Sequence, residues 1–415
     1  MRIIADFHIH SKYSRATSQE TDLDNLDKWA KIKGIKVLGT GDFTHPRWLK
    51  EIKEKLEPAE PGLYKRKREE NGTRFILTTE VSTIYSKKGK TRRVHHIIFS
   101  PSLQAVEKIN AQLGWIGNLK SDGRPILGLD SKELAKIVFN VSPDCVLVPA
   151  HTWTPWFSVF GSMSGFDSLE ECFEEFAPKI FAIETGLSSD PAMNWRLSKL
   201  DKIALISNSD SHSPQRIGRE ANVFDCDLSY QSMMEAIKSR DPAKFLYTVE
   251  FFPEEGKYHY DGHRLCKIRF SSEETKKHKG ICPACGRPLT VGVMSRVEEL
   301  ADRPAGFKPP GVIPYKSLVP LEEIISEALD LGVGSKKVKE EYDNLIEKFG
   351  NEFVVLIDAD IMQLKSATLP EIAEGISRVR EGKLKIEAGY DGEYGKVKIF
   401  DEKEREEITR QKSLF

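Results

Sequence analysis

Two strings bracket the first half of this 415-residue chain and restrict how it can fold: DFHIH at residues 6–10 and NSDSH at residues 208–212. Each follows an apolar run (IIADFHIH and IALISNSDSH) and sets metal-ligand types two residues apart. On a strand such i and i+2 side chains leave one face roughly 7 Å apart. Between these strings, ligand-type residues lie at the ends of further strand-like runs: Asp42 in VLGTGDF, Glu80 in FILTTEV, His95 and His96 in VHHIIF, and His151 in VLVPAH. Imidazoles and carboxylates gathered from several strand ends are what a multinuclear hydrolytic metal site requires.

Residues 1 to about 250 alternate short β-rich runs with helical stretches, one of them the amphipathic segment from Asp22 to Lys33 that stops at Gly34. This alternation predicts an α/β fold with a parallel sheet, open or closed into a barrel, whose functional groups collect at the carboxyl ends of the strands. Near Phe251 the texture changes. A Cys-containing segment leads into the Pro- and Gly-rich stretch ADRPAGFKPPGVIPYKSLVP, which has the composition of a linker or of an extended segment laid on a surface. From Leu321 to about Arg380 the period is helical. The expected division is therefore a metallohydrolase domain over 1–250, a zinc-binding module over 251–300, a helical C-terminal domain over 301–400 and a charged tail over 401–415.

The chemistry of the ligand types assigns roles. A carboxylate that bridges two cations lowers their mutual repulsion, and Glu80 is the interior acid placed to do so. His8, His10 and Asp210 complete one ion, and His96 and His151 the other. Neighbours on a strand point to opposite faces, so only one of His95 and His96 can face the cluster; His96 is chosen because it directly precedes the apolar run. Asp42 and His212 form a third, looser position. Paired cations produce hydroxide near neutral pH and stabilise a leaving oxygen at phosphorus, which predicts a phosphoester hydrolase with Glu80, Asp210 and His212 as catalytic groups. His-rich ligation suits Zn, Mn or Fe better than Mg.

Six cysteines are present. Cys145, Cys172 and Cys226 are isolated and read as buried thiols. Cys266, Cys282 and Cys285 are grouped around the knuckle GICPACG, and His263 makes an HxxC half-site that mirrors the CxxC; together they predict one structural zinc. This module is basic: from Lys257 to Arg296 there are nine Lys or Arg against three acids, although the whole chain has a formal charge of −1. Lys267 and Arg269 are candidate DNA contacts within it. The aromatic run HTWTPWFSVFG after His151 offers Trp153 and Trp156 for stacking on an extruded base, and Arg196, at the end of GLSSDPAMNWR, can line the same cleft. No apolar run approaches the ~20 residues of a membrane span. MRIIADFHIH also lacks the parts of a signal peptide, so a cytoplasmic protein without a membrane partner is expected.

His8 and His10, Asp42, Glu80, His96, His151, then Asp210 and His212 follow the motif order HxH, TDH-like turn, Glu, His, His, DxH. The chain thereby resembles the PHP (polymerase and histidinol phosphatase) superfamily, which implies a distorted (β/α)7 barrel and two or three divalent cations. It departs from that pattern in having Phe43 after Asp42, with His45 beyond it, and Ser14 and Arg15 where a ligand to the third ion often stands. Barrel, finger, RVEELADRP and a helical segment ending in AGYDGEYGKVKIF together resemble the endonuclease Q family across nearly the whole chain. That resemblance implies a metal-dependent endonuclease cutting duplex DNA 5′ to deaminated bases (uracil, hypoxanthine, xanthine) or abasic sites. It also implies association with a sliding clamp, for which Gln411, Leu414 and Phe415 resemble a QxxLF box. The rival expectations are a phosphomonoesterase of the histidinol phosphatase type and a non-catalytic zinc-containing DNA-binding protein.

Overall fold

The structure, a computed structural model, describes residues 1–401 and 404. The box at Gln411, Leu414 and Phe415 lies outside the described residues. Among the described residues no helix is long and apolar enough to cross a membrane.

Most of the strands belong to one mixed sheet in the order Tyr315–Ser317, Phe245–Glu250, Ala221–Asp225, Arg2–Asp6, Val37–Gly39, Arg74–Lys87, Tyr64–Arg66 and Leu56–Pro58. Lys90–Ser100 branches from Arg74–Lys87 and carries Val146–Pro149 on its far side. Ala182–Glu184 and Ala204–Ile206 form a separate parallel pair. Arg2–Asp6 is buried on both faces: Ile3 and Ala5 enter one apolar cluster, and Ile4 enters another. That explains why its sequence reads as a continuous apolar run.

The helix Leu23–Lys33 behaves as its sequence predicts. Asp22 caps it by accepting from the N–H groups of Asp24 and Asn25, and Leu23, Leu26 and Ala30 bury one stripe. Gly34 ends it at φ 90°, and a Cβ there would come within 2.3 Å of Asn351 Oδ1, so both backbone and space demand glycine.

The fold is α/β as expected, but the sheet is mixed and not parallel throughout. Arg2–Asp6 pairs in parallel with Val37–Gly39 but antiparallel with Ala221–Asp225, and Arg74–Lys87 pairs antiparallel with Lys90–Ser100. The cause of the second pairing is local. Lys88 and Gly89, at φ 51° and 73°, form a two-residue turn with both central residues left-handed, which directs the chain straight back.

Leu321–Leu329, Lys336–Phe349, Ile361–Ala367 and Pro370–Glu381 make the helical domain. It docks through a buried cluster in which Glu352 accepts from Lys33 Nζ (2.6 Å), Tyr342 Oη (2.5 Å) and the Leu321 N–H (3.2 Å). Arg2 Nη1 adds a fork onto both oxygens of Asp358 at 2.8 Å. The helical pattern does not extend over all of 301–400. Tyr315–Ser317 is an edge strand parallel to Phe245–Glu250, and Lys385–Glu387 pairs with Lys396–Lys398 in a hairpin. That hairpin packs on the finger, where Tyr260 N–H donates to Gly389 O and the Arg264 N–H to Asp391 Oδ2.

Candidate metal centres

Glu80, on the strand Arg74–Lys87, presents its two carboxylate oxygens to two separate sets of ligand atoms. Oε2 lies 3.5 Å from His8 Nε2 and 3.2 Å from His10 Nε2, and Asp210 Oδ1 lies 3.6 and 3.1 Å from the same two nitrogens. Oε1 lies 2.7 Å from His95 Nδ1 and 3.1 Å from His151 Nε2. His8, His10, Glu80 and Asp210 form one group, and Glu80, His95 and His151 a second; within each, the ligand atoms lie within 4.8 Å of one another.

These residues fit metal binding. His8 Nε2, His10 Nε2 and Asp210 Oδ1 are buried without a hydrogen-bond partner although they face one another, and burying polar atoms in that way is costly unless something else satisfies them. Lone pairs converging on one point are the donor set of a cation site. The supporting bonds have the matching form. His8 Nδ1 faces Glu184 Oε1 at 3.0 Å and His10 Nδ1 faces Asp42 Oδ1 at 3.0 Å, so the other ring nitrogen of each histidine is left for a cation. Burial disfavours charge on His8, yet Glu184, Asp210 and Glu80 raise its pKa well above the ordinary value. At Glu80 burial is likewise outweighed, by His95, Arg124 and His8, and its pKa falls well below the usual range. Burial takes His95 down to about 4 and keeps it neutral, the form that ligates.

Asp42, His151 and Asp210 all have left-handed backbones, at φ 47°, 31° and 46°. Such conformations in residues other than glycine cost on the order of 1–3 kcal/mol and gather at functional sites. Gly123 approaches closely as well, since a Cβ there would stand 2.2 Å from Asp42 Oδ2.

Three expectations are corrected. His95, not His96, faces Glu80. Ser82 pairs with His95 and Glu80 with Ile97, so these four share a face, whereas His96 pairs with Val81 on the other face and faces Ser131 Oγ at 2.9 Å. Among the described residues Asp42 and His212 join neither ligand group. Asp42 Oδ2 is taken by the Ser11 N–H and Oγ and by Ser14 Oγ, while His212 lies tilted against His10, ring centroids 4.5 Å apart, with its Nδ1 2.9 Å from the Asp210 carbonyl oxygen. Among the described residues His45 joins neither group; it stands at the N-terminal boundary of the helix Pro46–Lys55 without a side-chain cap bond and stacks on Tyr13 at 4.5 Å. Two of the DNA-contact candidates are interior. Trp153 is fully buried and donates to Asn194 Oδ1 at 2.8 Å, and Arg196 is buried and pairs with Glu298 at 2.5 Å. Trp156 is half-buried, edge-on to Tyr258 at 5.5 Å.

Two residues of the centre escape the sequence reading. Glu184 binds His8, the Asn208 side-chain amide and the His151 N–H; it ends a strand-like run in FAIETG, so the same signal was present. Arg124 Nη1 reaches Glu80 Oε2 at 2.9 Å from an irregular loop that carries no periodic signal.

The second centre joins His263, Cys266, Cys282 and Cys285. His263 Nδ1 lies 3.4 Å from Cys285 Sγ, and the knuckle closes through Gly286 N–H to Cys282 O at 2.9 Å. Burial opposes the Cys282 thiolate, but the N–H groups of Ala284 and Cys285 outweigh it and bring the thiol down to about 7. Three thiols and one imidazole suit zinc.

Residues 320–383 match the family model of the MJ0043 C-terminal domain. The chain is 36% identical over 329 residues to the uncharacterized protein MJ0043 of Methanocaldococcus jannaschii, covering 74% of this chain and about 40% of that relative's length. The crystal structure of the lesion-specific endonuclease PfuEndoQ from Pyrococcus furiosus superposes with a TM-score of 0.87 at 34% identity, over 97% of this chain and 96% of that one. Endonuclease Q in complex with a 27-mer duplex substrate carrying an abasic lesion at the active site gives 0.86 at 34% identity, over 98% of both chains.

Proposed function

The chain belongs to the endonuclease Q family, and we propose on that premise that it is a metal-dependent DNA repair endonuclease cutting the phosphodiester 5′ to an abasic site or a deaminated base. The observation that carries this reading is the shared Glu80 carboxylate, one oxygen toward His8, His10 and Asp210 and the other toward His95 and His151. Divalent cations held there supply Lewis acidity at the phosphodiester and a water nucleophile at neutral pH.

The protein's own groups do the rest. Glu184 and Asp42 hold His8 and His10 in one ring orientation each. His212 donates its Nδ1 proton to the Asp210 carbonyl, which leaves Nε2 as the lone pair that accepts or returns a proton at the cleft. Arg124 presents a guanidinium for the charge that builds on the phosphoryl oxygens. Trp156 is the stacking surface for an extruded lesion.

In this division of labour residues 1–250 are a PHP-type distorted barrel that cuts, 251–300 a zinc module that grips duplex DNA, and 301–400 a helical domain that lends its hairpin to that module. A sliding clamp is the partner proposed for Gln411, Leu414 and Phe415 in the tail over 401–415, on their sequence alone. The test uses end-labelled duplexes carrying uracil, hypoxanthine, an abasic site or no lesion, with Mg2+, Mn2+ or Zn2+ added. Nicks on the 5′ side of lesions, lost in Glu80→Ala, are expected. Equal cutting of undamaged duplex, or no cutting with any cation, overturns the reading.

A further inference from the structure

His95 differs from the other histidines around Glu80 in what holds its ring. Nδ1 of His8 faces Glu184, Nδ1 of His10 faces Asp42 and Nδ1 of His151 faces Thr154 Oγ1 at 3.3 Å, and each leaves Nε2 toward the cluster. His95 is reversed. Its Nδ1 faces Glu80 Oε1, and among the described residues its Nε2 has no hydrogen-bond partner. A ligand histidine is ordinarily fixed by the bond that its second nitrogen makes. No such bond orients His95, so the direction of its ring comes from packing. One ring against it is that of His151, at 5.1 Å, itself a member of the ligand group.

The other is Phe157, in the loop after His151, which meets His95 twice. Its carbonyl oxygen accepts from the His95 N–H at 3.0 Å, and its ring lies 4.8 Å from the His95 ring, tilted by 40°. Arg93, two residues before His95 on the strand Lys90–Ser100 and so on the same face, carries its guanidinium 5.7 Å from the centre of that ring. Ser164 ties loop to strand: its Oγ accepts from the Phe157 N–H and donates to Arg93 O, both at 3.3 Å, and its carbonyl accepts from the Arg93 N–H at 3.4 Å. The backbone shows that the arrangement is imposed. Phe157 stands at φ 62°, a left-handed conformation that a bulky side chain seldom adopts. Such strain persists where the surroundings over-determine a residue, and it gathers at functional sites. Glycine would take this turn freely. What phenylalanine adds there is the ring against His95.

We propose that Phe157 is a positioning residue of the metal centre: its ring sets the orientation of His95, and thereby the affinity of Glu80, His95 and His151 for a divalent cation. The inference rests on the metal-dependent reading above and adds what holds the histidine that no hydrogen bond orients.

The test titrates the metal-free, full-length protein with Mn2+ by calorimetry, without DNA. Two classes of site are expected in the wild type, and the class that His95→Ala removes is the one at issue. Phe157→Gly should weaken that class about 10-fold, as loss of a group that orients a ligand does, and leave the other class unchanged. Melting in metal-free buffer should change little, because the lost ring contacts and the relieved backbone act in opposite directions. Phe157→Asn, also tolerated at positive φ, should behave in the same way, and Phe157→Tyr should restore the affinity. Added to His95→Ala, Phe157→Gly should change cation binding no further, since the ring acts through His95. Wild-type Mn2+ binding in both Phe157→Gly and Phe157→Asn overturns the positioning role and leaves the nuclease reading standing. Equal weakening of both classes with lower melting also overturns it, as the mark of a residue that only supports the loop. Weakening of the His95 class alone, in a wild-type protein that never nicks lesion DNA, supports the role and sinks the nuclease reading. A wild type that binds Mn2+ and Zn2+ no better than Glu80→Ala overturns both.

Discussion

Arg124 Nη1 lies 2.9 Å from Oε2 of Glu80, the same oxygen that faces His8 and His10. A guanidinium at a carboxylate proposed to hold cations competes with them for it, and it remains worthwhile if its other donors serve the phosphodiester. Arg124→Ala should therefore lower the nicking rate about 100-fold, in the range found for the loss of one transition-state donor. Cation affinity should stay equal or rise, because a positive charge has left the site. Single-turnover rates beside a metal titration separate these effects, and weaker cation binding in Arg124→Ala would show that the residue instead builds the site.

His95 and His96 are sequence neighbours with opposite tasks. His95→Ala removes the nitrogen 2.7 Å from Glu80 that is proposed to hold a cation, and should abolish cutting while stability changes little. His96→Ala empties a buried site against Ser131 and Phe173 and should lower melting while cation stoichiometry is kept. Metal analysis and thermal denaturation of the two variants decide; loss of cations in His96→Ala alone would reverse the assignment.

That pair also shows what the sequence could express. His8, His10 and Asp210 were legible because the apolar run and the ligand types follow one another in short single stretches, just past the strands Arg2–Asp6 and Ala204–Ile206. Choosing His95 required the register of the hairpin, which the Lys88–Gly89 turn sets through two left-handed residues and which no periodicity encodes. Asp42 looked like a ligand because carboxylates that bind cations and carboxylates that orient histidines are the same residue type at the same strand end. Arg124 reaches Glu80 across 44 residues from an irregular loop, and the hairpin at 385–398 meets the finger more than 100 residues upstream. Such long-range pairings are properties of packing, invisible in local pattern.

The zinc module holds the Cys and His ligands with few interior apolar residues, Cys282 and Leu289 among them, so its order should depend on the ion. Cys282→Ser, or chelation strong enough to strip the His263 site, should loosen residues 261–290 and weaken duplex binding about 10-fold or more, since the basic module proposed to grip the duplex loses its shape. Hydrogen exchange over that segment checks the first outcome. Unchanged exchange after zinc removal would mean that the hairpin alone holds the finger.

Behind the metal centres, Glu220 and Glu250 are buried acids whose interaction fixes the direction of a pH effect. Burial pushes Glu250 up to about 8, with repulsion from Asp190 in the same direction, and burial with repulsion from Glu250 raises Glu220 well above the ordinary value. Both groups bind protons more tightly in the folded chain than in the unfolded one, where a Glu titrates near ~4.3. Between those values the native state carries the extra protons, so the slope of unfolding free energy against pH is negative and stability falls as pH rises from about 5 to about 8. Glu250→Gln keeps a polar group beside Thr185 and Thr248 but cannot ionise, so the fall should flatten and the variant should melt higher than wild type at pH 8. Melting temperatures measured across that range in metal-free buffer test this directly. A wild-type curve that rises with pH would mean that Glu250 is ionised in the folded protein.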